Sequence, residues 1–319
     1  MSVAELRPLL YRLEQDDGGR RLCQAVVVGE ERTLVVDAGL PEGPEQGLLA
    51  LLASLGVAER PIVLLLTHPD ADHRGGAPVL REALPQLEVW GHELDGDQLA
   101  DPEVALGERY LAFAGDGVEP TPERVAAMRA RLGRPVRLDR RLSGDTAVDL
   151  GGHRVEILHM PGHSAGSLVA WLPEPGAALI ADAAMGRGIP FFDGRLMYPP
   201  MYAPPATYLA TIGRLEALGP SLIVSGHEPP LEGEEAARFL VKSRDAVHRL
   251  SALVRDALAG GGLRTLAELC TAVAQGYGFV QPDAAPSFAM TVDGTLAELA
   301  ERGEVAIERG PPRRFEEIR

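Results

Sequence analysis

The first half of the chain alternates short apolar runs with polar turns, a pattern that predicts a series of β-strands. Residues 22–28 and 32–36 are rich in Val and Leu and flank the turn Gly-Glu-Glu, which predicts a β-hairpin. Residues 61–66, Pro-Ile-Val-Leu-Leu-Leu, are a continuous apolar run, typical of a strand buried on both faces between layers of helices. The same criteria predict helices at 43–55 and 207–218 and strands at 153–159, 167–172, 177–180 and 221–224.

Two segments depart from this alternation. Residues 93–145 are polar and broken by Gly and Pro, with one clear helical stretch at 121–132, and we interpret them as an insertion that covers part of the fold. After about residue 233 the pattern turns helical, with predicted helices at 234–258, 265–275 and 293–301 and a hairpin of 304–308 with 314–318. Three helices followed by a hairpin is the element order of a winged helix. We therefore divide the chain into 1–235 and 236–319.

Composition and charge narrow the class of protein. A chain of 319 residues can bury one large core and a small appendage, and 45% hydrophobic with 24% charged residues is a globular composition. The formal net charge of −15 disfavours a nucleic-acid partner. Cys23 and Cys270 form neither a CxxC motif nor a disulfide framework. Because no signal peptide and no run of ~20 apolar residues is found, we expect a cytoplasmic protein without a membrane partner.

A cluster of candidate metal ligands directly follows the apolar run 61–66; it consists of His68, Asp70, Asp72 and His73. Side chains in a loop at the carboxyl end of a strand can converge on a ligand while the sheet holds them. Imidazole and carboxylate donors without thiolates suit zinc, iron or manganese. The plainer alternative is a solvated helix N-cap.

Three later signals favour the metal interpretation. They are Pro-Gly-His163-Ser, Ala-Asp182-Ala and Ser-Gly-His227, and each places one potential ligand at or beyond the end of an apolar run. Each signal is weak alone, since a histidine after Pro-Gly is commonly a turn residue and an aspartate is a common helix cap. Their order and spacing after the first cluster make the combination specific.

The series HxDxDH, PGHS, AD and SGH resembles the metallo-β-lactamase superfamily, whose usual motif is HxHxDH followed by His, Asp and His. Val36-Asp37-Ala38-Gly39 resembles the DxG of that family's second hairpin. The resemblance covers about residues 15–235 and implies an α/β fold, an αββα sandwich, which agrees with the predicted strands and helices. It implies one metal ion held by His68, Asp70 and His163, a second held by Asp72, His73 and His227, and Asp182 bridging the two.

Position 70 departs from the family pattern, because it is Asp where most members carry His. Flavodiiron oxygen reductases also use a carboxylate there, but it is a glutamate. The expected cofactors are two divalent ions; zinc is the generic choice, and the extra carboxylate of Asp70 favours iron or manganese. Two alternatives stay open: Asp70 does not reach the metal and leaves one ion weakly bound, or the site is degenerate and non-catalytic.

The resemblance also implies a chemistry. A metal-bound hydroxide, made available near neutral pH, would attack an acyl carbonyl or a phosphorus centre while Asp72 orients the water. Apolar side chains soon after Asp182 are candidates for a substrate pocket, with ordinary loop packing as the alternative; they are Met185, Phe191, Phe192, Tyr198 and Tyr202, with Met201 beside them. An apolar wall favours an acyl thioester, ester or lactone as the small-molecule substrate.

The C-terminal segment resembles the winged-helix tail of one branch of the superfamily, a branch that includes acyl-carrier-protein thioesterases and an endoribonuclease; hydroxyacylglutathione hydrolases are another similar group. From residue 242 onward the chain contains ten basic and eleven acidic residues, so its net charge is close to zero and it is a poor phosphate-backbone binder. We interpret it as a packing or homodimerisation element. The competing functions are a ribonuclease or other phosphodiesterase, a diiron redox protein, and a non-catalytic metal-binding protein.

Overall fold

Two β-sheets pack face to face in the computed structural model, which describes residues 1–278 and 285–318, without the side chains of 285–287. The first sheet has seven strands in chain order: β1 (Ser2–Arg7), β2 (Leu10–Asp17), β3 (Arg20–Val28), β4 (Thr33–Val36), β5 (Ile62–Leu65), β6 (Leu87–His92) and β7 (Arg140–Leu142). The pairs from β1 to β4 are antiparallel, and those from β4 to β7 are parallel.

The second sheet closes the sandwich from the other side. The strands of this half are β8 (Thr146–Asp149), β9 (Arg154–His159), β10 (Leu168–Leu172), β11 (Ala177–Ala181), β12 (Ile189–Pro190), β13 (Leu196–Tyr198), β14 (Leu222–Ser225) and β15 (Leu231–Glu232). Six of them form the sheet in the order β15-β14-β11-β10-β9-β8, while β12 and β13 pair as a separate ribbon. β11 and β14 are parallel neighbours, so their carboxyl ends meet at one edge.

Helices cover both outer faces. Their bounds are α1 (Leu49–Ser54), α2 (Ala71–Arg74), α3 (Ala77–Ala83), α4 (Gly96–Ala100), α5 (Pro102–Ala105), α6 (Pro122–Leu132), α7 (Pro205–Leu218), α8 (Glu234–Leu258), α9 (Leu266–Tyr277) and α10 (Ala285–Glu301). Single helical turns occur at Pro44–Leu48, Glu93–Asp95, Leu106–Tyr110 and Ala114–Asp116. A three-stranded sheet of β16 (Arg264–Thr265), β17 (Val305–Glu308) and β18 (Arg314–Glu317) follows the order β16-β18-β17.

The core has three layers, which makes the fold an αββα sandwich. Alternate residues of the central strands, such as Leu65 and Leu179, meet between the two sheets. The opposite face of the first sheet packs on α1 and α3, through residues such as Leu64 and Leu80. The outer face of the second sheet packs on α7 to α10 in one continuous cluster. Because these helices share a core with that sheet, the proposed boundary at residue 235 stays a prediction, as does the winged-helix label.

Most elements lie where the hydrophobic pattern predicts them, and the differences have clear causes. The hydrophobic pattern predicts neither β1 nor β2. β1 is an exposed edge strand, and its charged residues hide the two-residue period. The insertion 93–145 is not wholly outside the sandwich, since it ends in β7, which pairs in parallel with β6. The last long helix, α10, begins at Ala285 rather than at residue 293. Among the described residues, none of the helices has the length and apolarity that crossing a bilayer requires.

Candidate metal centre

The loop that follows β5 is held at both ends by buried hydrogen bonds. At its start, the backbone N–H of Thr67 donates to the Asp37 carboxylate at 2.8 Å. At its end, the fully buried Arg74 donates to three backbone carbonyls of the insertion, those of Leu99, Leu132 and Arg134. The candidate ligands between Thr67 and Arg74 therefore sit on a segment tied to both the sheet and the insertion.

The seven candidate ligands converge in two groups, and within each group the ligand atoms lie within 4.8 Å of one another. We define the first half-site as His68, Asp70 and His163 and the second half-site as Asp72, His73 and His227. Asp182 lies between them: its Oδ2 is 3.3 Å from His227 Nε2 and 4.0 Å from His68 Nε2, and its Oδ1 is 3.8 Å from His73 Nε2. The structure thus brings together every residue that the sequence motifs select, and their binding of metal stays a prediction.

All four imidazoles turn the same nitrogen toward the cluster. Each Nδ1 contacts a group outside it, in chain order the Thr67 hydroxyl at 2.9 Å, the Asp37 carboxylate at 2.7 Å, the Met201 carbonyl at 2.8 Å and the Arg21 carbonyl at 2.8 Å. A histidine held through one ring nitrogen presents the other nitrogen in a fixed direction, which is how proteins orient metal-binding imidazoles. The four Nε2 atoms are therefore placed as a set.

Asp37, in the loop after β4, organises the second half-site without being a candidate ligand. It is buried and accepts hydrogen bonds from the Thr67 backbone N–H, the Thr67 hydroxyl and His73 Nδ1. Its backbone φ of +64° is in the left-handed region, which a non-glycine residue adopts rarely. The Val-Asp-Ala-Gly resemblance was the signal for this residue, although not for its contact with His73.

The cluster carries a surplus of negative charge. Burial, together with the neighbouring His73 and His163, lowers the pKa of His68 to about 4, so that imidazole is neutral at pH 7. Burial alone would raise the pKa of Asp182, but His227 and His73 hold it well below its usual value. Burial would also lower the pKa of His73, but Asp37 and Asp182 raise it to about 10. Surroundings that stabilise protonated His73 this strongly would also stabilise another bound cation.

The donor atoms fit a divalent metal ion. The Nε2 atoms of His68, His73 and His227 and the Oδ1 atom of Asp182 are buried and have no hydrogen-bond partner among the described residues. Buried polar atoms without a partner are uncommon because leaving them unpaired costs free energy. Imidazole nitrogen and carboxylate oxygen are the donors that zinc, iron and manganese share. Buried donor atoms that have no protein partner are suited to binding a metal ion.

Two arginines enter the cluster, and sequence reasoning missed both. Arg109, from the Leu106–Tyr110 turn of the insertion, forms a bidentate ion pair with Asp70, and its Nη2 lies 2.9 Å from His163 Nε2. Tyr110 donates its hydroxyl to Asp70 at 3.0 Å. Arg20 lies 3.0 Å from the Asp72 carboxylate. The local sequence around these residues carries no motif, so only the folded structure, with Arg20 in β3 and Arg109 in the insertion, reveals their position at the cluster.

A cavity of about 300 Å³ opens onto both half-sites. Its polar wall includes Asp70, Asp72, Asp182 and His227, and its apolar wall includes Ile189 and the methionines Met128, Met197, Met201 and Met290. Helix α6 of the insertion forms one side, and α10 contributes Met290. Residues of the segment 93–145 therefore form part of the cavity lining, and its interpretation as an insertion stays a prediction.

The predicted substrate residues divide by position. Tyr198 lines the cavity beside Met201. Met185 and Tyr202 are instead buried, Tyr202 in the core stacked on Tyr208, and Phe191 and Phe192 lie outside the cavity, where they pack against Arg195 and Arg21. The prediction of a substrate wall from these four residues is not supported by their placement.

Comparison with known proteins agrees with this geometry. Residues 18–227 match the model of the metallo-beta-lactamase superfamily. The acyl-coenzyme A thioesterase MBLAC2 of Gallus gallus is 30% identical over 162 residues, 48% of this chain and 53% of that protein. The hydroxyacylglutathione hydrolase of Acidiphilium cryptum is 30% identical over 159 residues, 50% of this chain and 60% of that protein. The chain thus spans little more than half the length of these curated relatives.

Solved structures share the fold over nearly the whole chain. The metallo-beta-lactamase family protein TTHA1429 of Thermus thermophilus superposes with a TM-score of 0.75 at 23% identity, covering 98% of this chain and 100% of that chain. A beta-lactamase domain protein of Burkholderia ambifaria superposes with a TM-score of 0.72 at 17% identity, covering 99% and 93%. The family match and the convergence of the motif residues lead to one conclusion: the chain belongs to the metallo-beta-lactamase superfamily.

Proposed function

We propose that this protein is a metal-dependent hydrolase that cleaves a small acyl compound, namely a thioester, ester or lactone. The observation that carries the proposal is the cavity, which joins the candidate metal cluster on one wall to a row of methionines on the other. Methionine side chains are flexible and apolar and adapt to alkyl or aryl groups. An acyl chain on this wall would bring its carbonyl carbon to the carboxylates and imidazoles.

The charge of the cavity supports an acyl substrate over a polyanion. Four arginines line the cavity, Arg20, Arg109, Arg124 and Arg131, together with four carboxylates, those of Asp17, Asp70, Asp72 and Asp182. Three of these arginines form ion pairs, Arg131 and Arg20 with Asp17 and Arg109 with Asp70. Paired arginines offer a phosphate backbone little net positive charge. A phosphodiester substrate, the main alternative, would need a basic surface leading to the cluster.

The roles of the chain's own residues follow from their contacts. Asp72 lines the cavity, and although burial would raise its pKa, Arg20 and His73 lower it, so the carboxylate stays ionised. An ionised carboxylate there can accept a hydrogen bond from the attacking water and orient it toward the substrate carbonyl. Tyr198 and Tyr110 lie on the same cavity wall. Asp72 is thus proposed as the catalytic residue.

A divalent ion bound by these residues would polarise the substrate carbonyl and make water nucleophilic near neutral pH. The donor set of three carboxylates and four imidazoles suits zinc, and its carboxylate content favours iron or manganese. The number of ions, expected to be two from the family resemblance, stays a prediction. So do the cytoplasmic location and a role of the C-terminal segment in homodimerisation.

A substrate panel tests the proposal. Metal-loaded protein would be assayed with acyl-coenzyme A thioesters of increasing chain length, a hydroxyacyl-glutathione thioester, a lactone, an aryl ester and an aryl phosphodiester. We expect kcat/KM for the preferred acyl substrate to exceed that for the phosphodiester by at least ~100-fold, since the apolar wall stabilises only the acyl group. Metal content would be measured on the same samples.

A cavity-filling variant provides the matched control. Met197→Trp should lower kcat/KM for long acyl chains while leaving an acetyl substrate within about threefold, because the added bulk takes the space of the chain. Faster turnover of the phosphodiester than of any acyl compound would replace the proposal with phosphodiester hydrolysis. Full metal loading without turnover of any substrate would favour a non-catalytic metal protein.

A further inference from the structure

The guanidinium of Arg109 contacts two of the three residues of the first half-site, Asp70 and His163. Its Nη2 lies 3.0 Å from Asp70 Oδ2 and 2.9 Å from His163 Nε2, and its Nε contacts Asp70 Oδ1. Asp70 Oδ2 and His163 Nε2 are themselves 2.9 Å apart. Both Arg109 and Asp70 are about nine-tenths buried, with side-chain exposures of 10%. The Arg109–Asp70 ion pair is therefore buried inside the cluster and does not lie on the surface.

Both of these ligand atoms already have partners within the protein. His163 Nδ1 faces the Met201 carbonyl, which can only accept, so Nδ1 carries a hydrogen and Nε2 is the nitrogen turned toward Asp70. That Nε2 lies 2.9 Å from Asp70 Oδ2 and 2.9 Å from Arg109 Nη2, and Nη2 also donates to Asp70 Oδ2 at 3.0 Å. The Arg109 Nη2 group is thus in hydrogen-bond contact with both atoms. A metal ion on the same two atoms would have to displace it.

The second half-site is different. Arg20 contacts one oxygen of Asp72 and is shared with Asp17. The Nε2 atoms of His73 and His227 have no hydrogen-bond partner among the residues that the structure describes. Asp182, whose Oδ2 lies 3.3 Å from His227 Nε2 and whose Oδ1 lies 3.8 Å from His73 Nε2, also has an Oδ1 without a hydrogen-bond partner in that part of the chain. His68 Nε2, in the first half-site, likewise lacks a partner there. The difference between the half-sites is therefore that a guanidinium is bonded to Asp70 and His163, whereas among the described residues none is bonded to His73 or His227.

The charges favour a single ion. Five carboxylates lie in the cluster or against it, and they belong to Asp17, Asp37, Asp70, Asp72 and Asp182. Three arginines pair with them, namely Arg20, Arg109 and Arg131. With neutral imidazoles the surplus is two negative charges, which one divalent ion would neutralise, and a second ion would add excess positive charge in a buried, weakly screened place.

We propose that the Arg109 guanidinium takes the position of the first metal ion, so that this chain binds one divalent ion, at the second half-site together with Asp182. This inference rests on the proposed metal-dependent function, because it assumes that the cluster holds metal. It also gives a reason for Asp at position 70: a carboxylate offers a guanidinium a bidentate partner, and an imidazole does not. The insertion then completes the active site rather than only covering it.

The test is zinc stoichiometry of the full-length chain. Metal-stripped protein would be dialysed against buffers that fix the free Zn²⁺ concentration at several values. Bound zinc would then be measured by elemental mass spectrometry. We expect one ion per chain for the wild type, two for Arg109→Met, and one for the matched control Arg124→Met, whose arginine lines the same cavity but contacts none of the candidate ligands. Two ions of similar affinity in the wild type, or one ion in Arg109→Met, would overturn the proposal.

A second variant protects the test if Arg109→Met fails to fold. His163→Ala removes a first half-site residue, and we expect it to keep one ion with an affinity within about threefold of wild type, less than the 10–100-fold that disturbing a ligand shell costs. Loss of that ion, or binding more than ~10-fold weaker, would overturn the proposal. A wild type that binds no zinc would overturn the metal-dependent function as well, so the two failures are distinguishable.

Discussion

The two half-sites are built from the same kinds of side chain, yet their surroundings differ. In the second half-site, His73 and His227 are fixed by Asp37 and by the Arg21 carbonyl, both in the first sheet and its loops, and their Nε2 atoms have no partner among the described residues. In the first half-site, Asp70 and His163 are engaged by Arg109 from the insertion. The insertion thus gives Asp70 and His163 a protein partner, while the Nε2 atoms of His68, His73 and His227 have none among the described residues.

A residue can match a metal-ligand motif and still be unable to bind metal, because another side chain of the protein already contacts its ligand atom. A motif places a side chain at the end of a strand, but the availability of its lone pair depends on what else packs there. Histidine and aspartate that meet a guanidinium are satisfied before any metal arrives.

The largest effect is expected from His227→Ala, which removes a ligand of the second half-site. Because Nε2 of His227 is one of the unpartnered atoms, we expect loss of the tightly bound ion and a fall in hydrolysis of at least ~100-fold. Zinc content and kcat/KM are the measurements. The control is His248→Ala, an exposed histidine of α8 that should behave as wild type. Unchanged zinc binding in His227→Ala would remove the distinction between the half-sites.

Asp37→Asn tests how the second half-site is held. An asparagine amide presented to His73 Nδ1 is a donor facing a donor, so His73 loses its orienting partner. We expect zinc affinity to fall ~10–100-fold and the free energy of unfolding to fall by about 1–3 kcal/mol. Calorimetric zinc titration and urea unfolding check both values. Asp149→Asn, at the exposed last residue of β8, serves as the control, and equal affinities in the two variants would contradict the assigned role.

Gly226→Ala tests the space between the ligands. A Cβ at this position would lie 2.7 Å from Asp182 Oδ1 and 2.9 Å from His73 Cε1, closer than real contacts allow. Asp182 and His73 would have to move apart, and we expect zinc affinity to fall by roughly 10-fold. Gly213→Ala is the matched control, since its Cβ meets nothing within 4 Å on an exposed turn of α7. That change should leave affinity alone and stabilise the helix by up to ~1 kcal/mol.

The smallest effect is a pH-dependent one on the insertion. Asp116 of the insertion pairs with Arg313, which precedes β18, and although burial would raise its pKa, Arg313 holds the pKa of Asp116 below its usual value. A lowered folded-state pKa means that the pair stabilises the fold above the pKa of the unfolded state, and that this stabilisation disappears as the pH falls through the folded pKa.

Asp116→Asn should therefore be less stable than wild type by ~1 kcal/mol at pH 7, and the gap should close below about pH 4. Urea unfolding at a series of pH values measures the gap. Zinc affinity at the second half-site should stay within about twofold, because the pair anchors the insertion and not the sandwich. A gap that persists at low pH would mean that the loss comes from packing rather than from charge.

Much of the fold could be predicted because its elements obey simple periods. The buried run that became β5 and the long amphipathic α8 lie within a residue or two of their predicted bounds. β1 failed because an exposed edge strand has no apolar face to give a period. Tyr202 lies in the core and not in the cavity lining. Composition alone does not distinguish an aromatic residue of the core from one that lines a cavity.

The sequence alone identified the family and the positions of seven candidate ligands, because metal ligands at strand ends recur in fixed order and spacing. The tertiary structure was needed to show which of these candidates already have a protein partner. Arg109 lies 39 positions from Asp70 and 54 from His163 along the chain, and it reaches both through a turn with no signature of its own. Contacts between distant segments follow from packing of the whole chain, and this is why the role of the insertion could be read only from the fold.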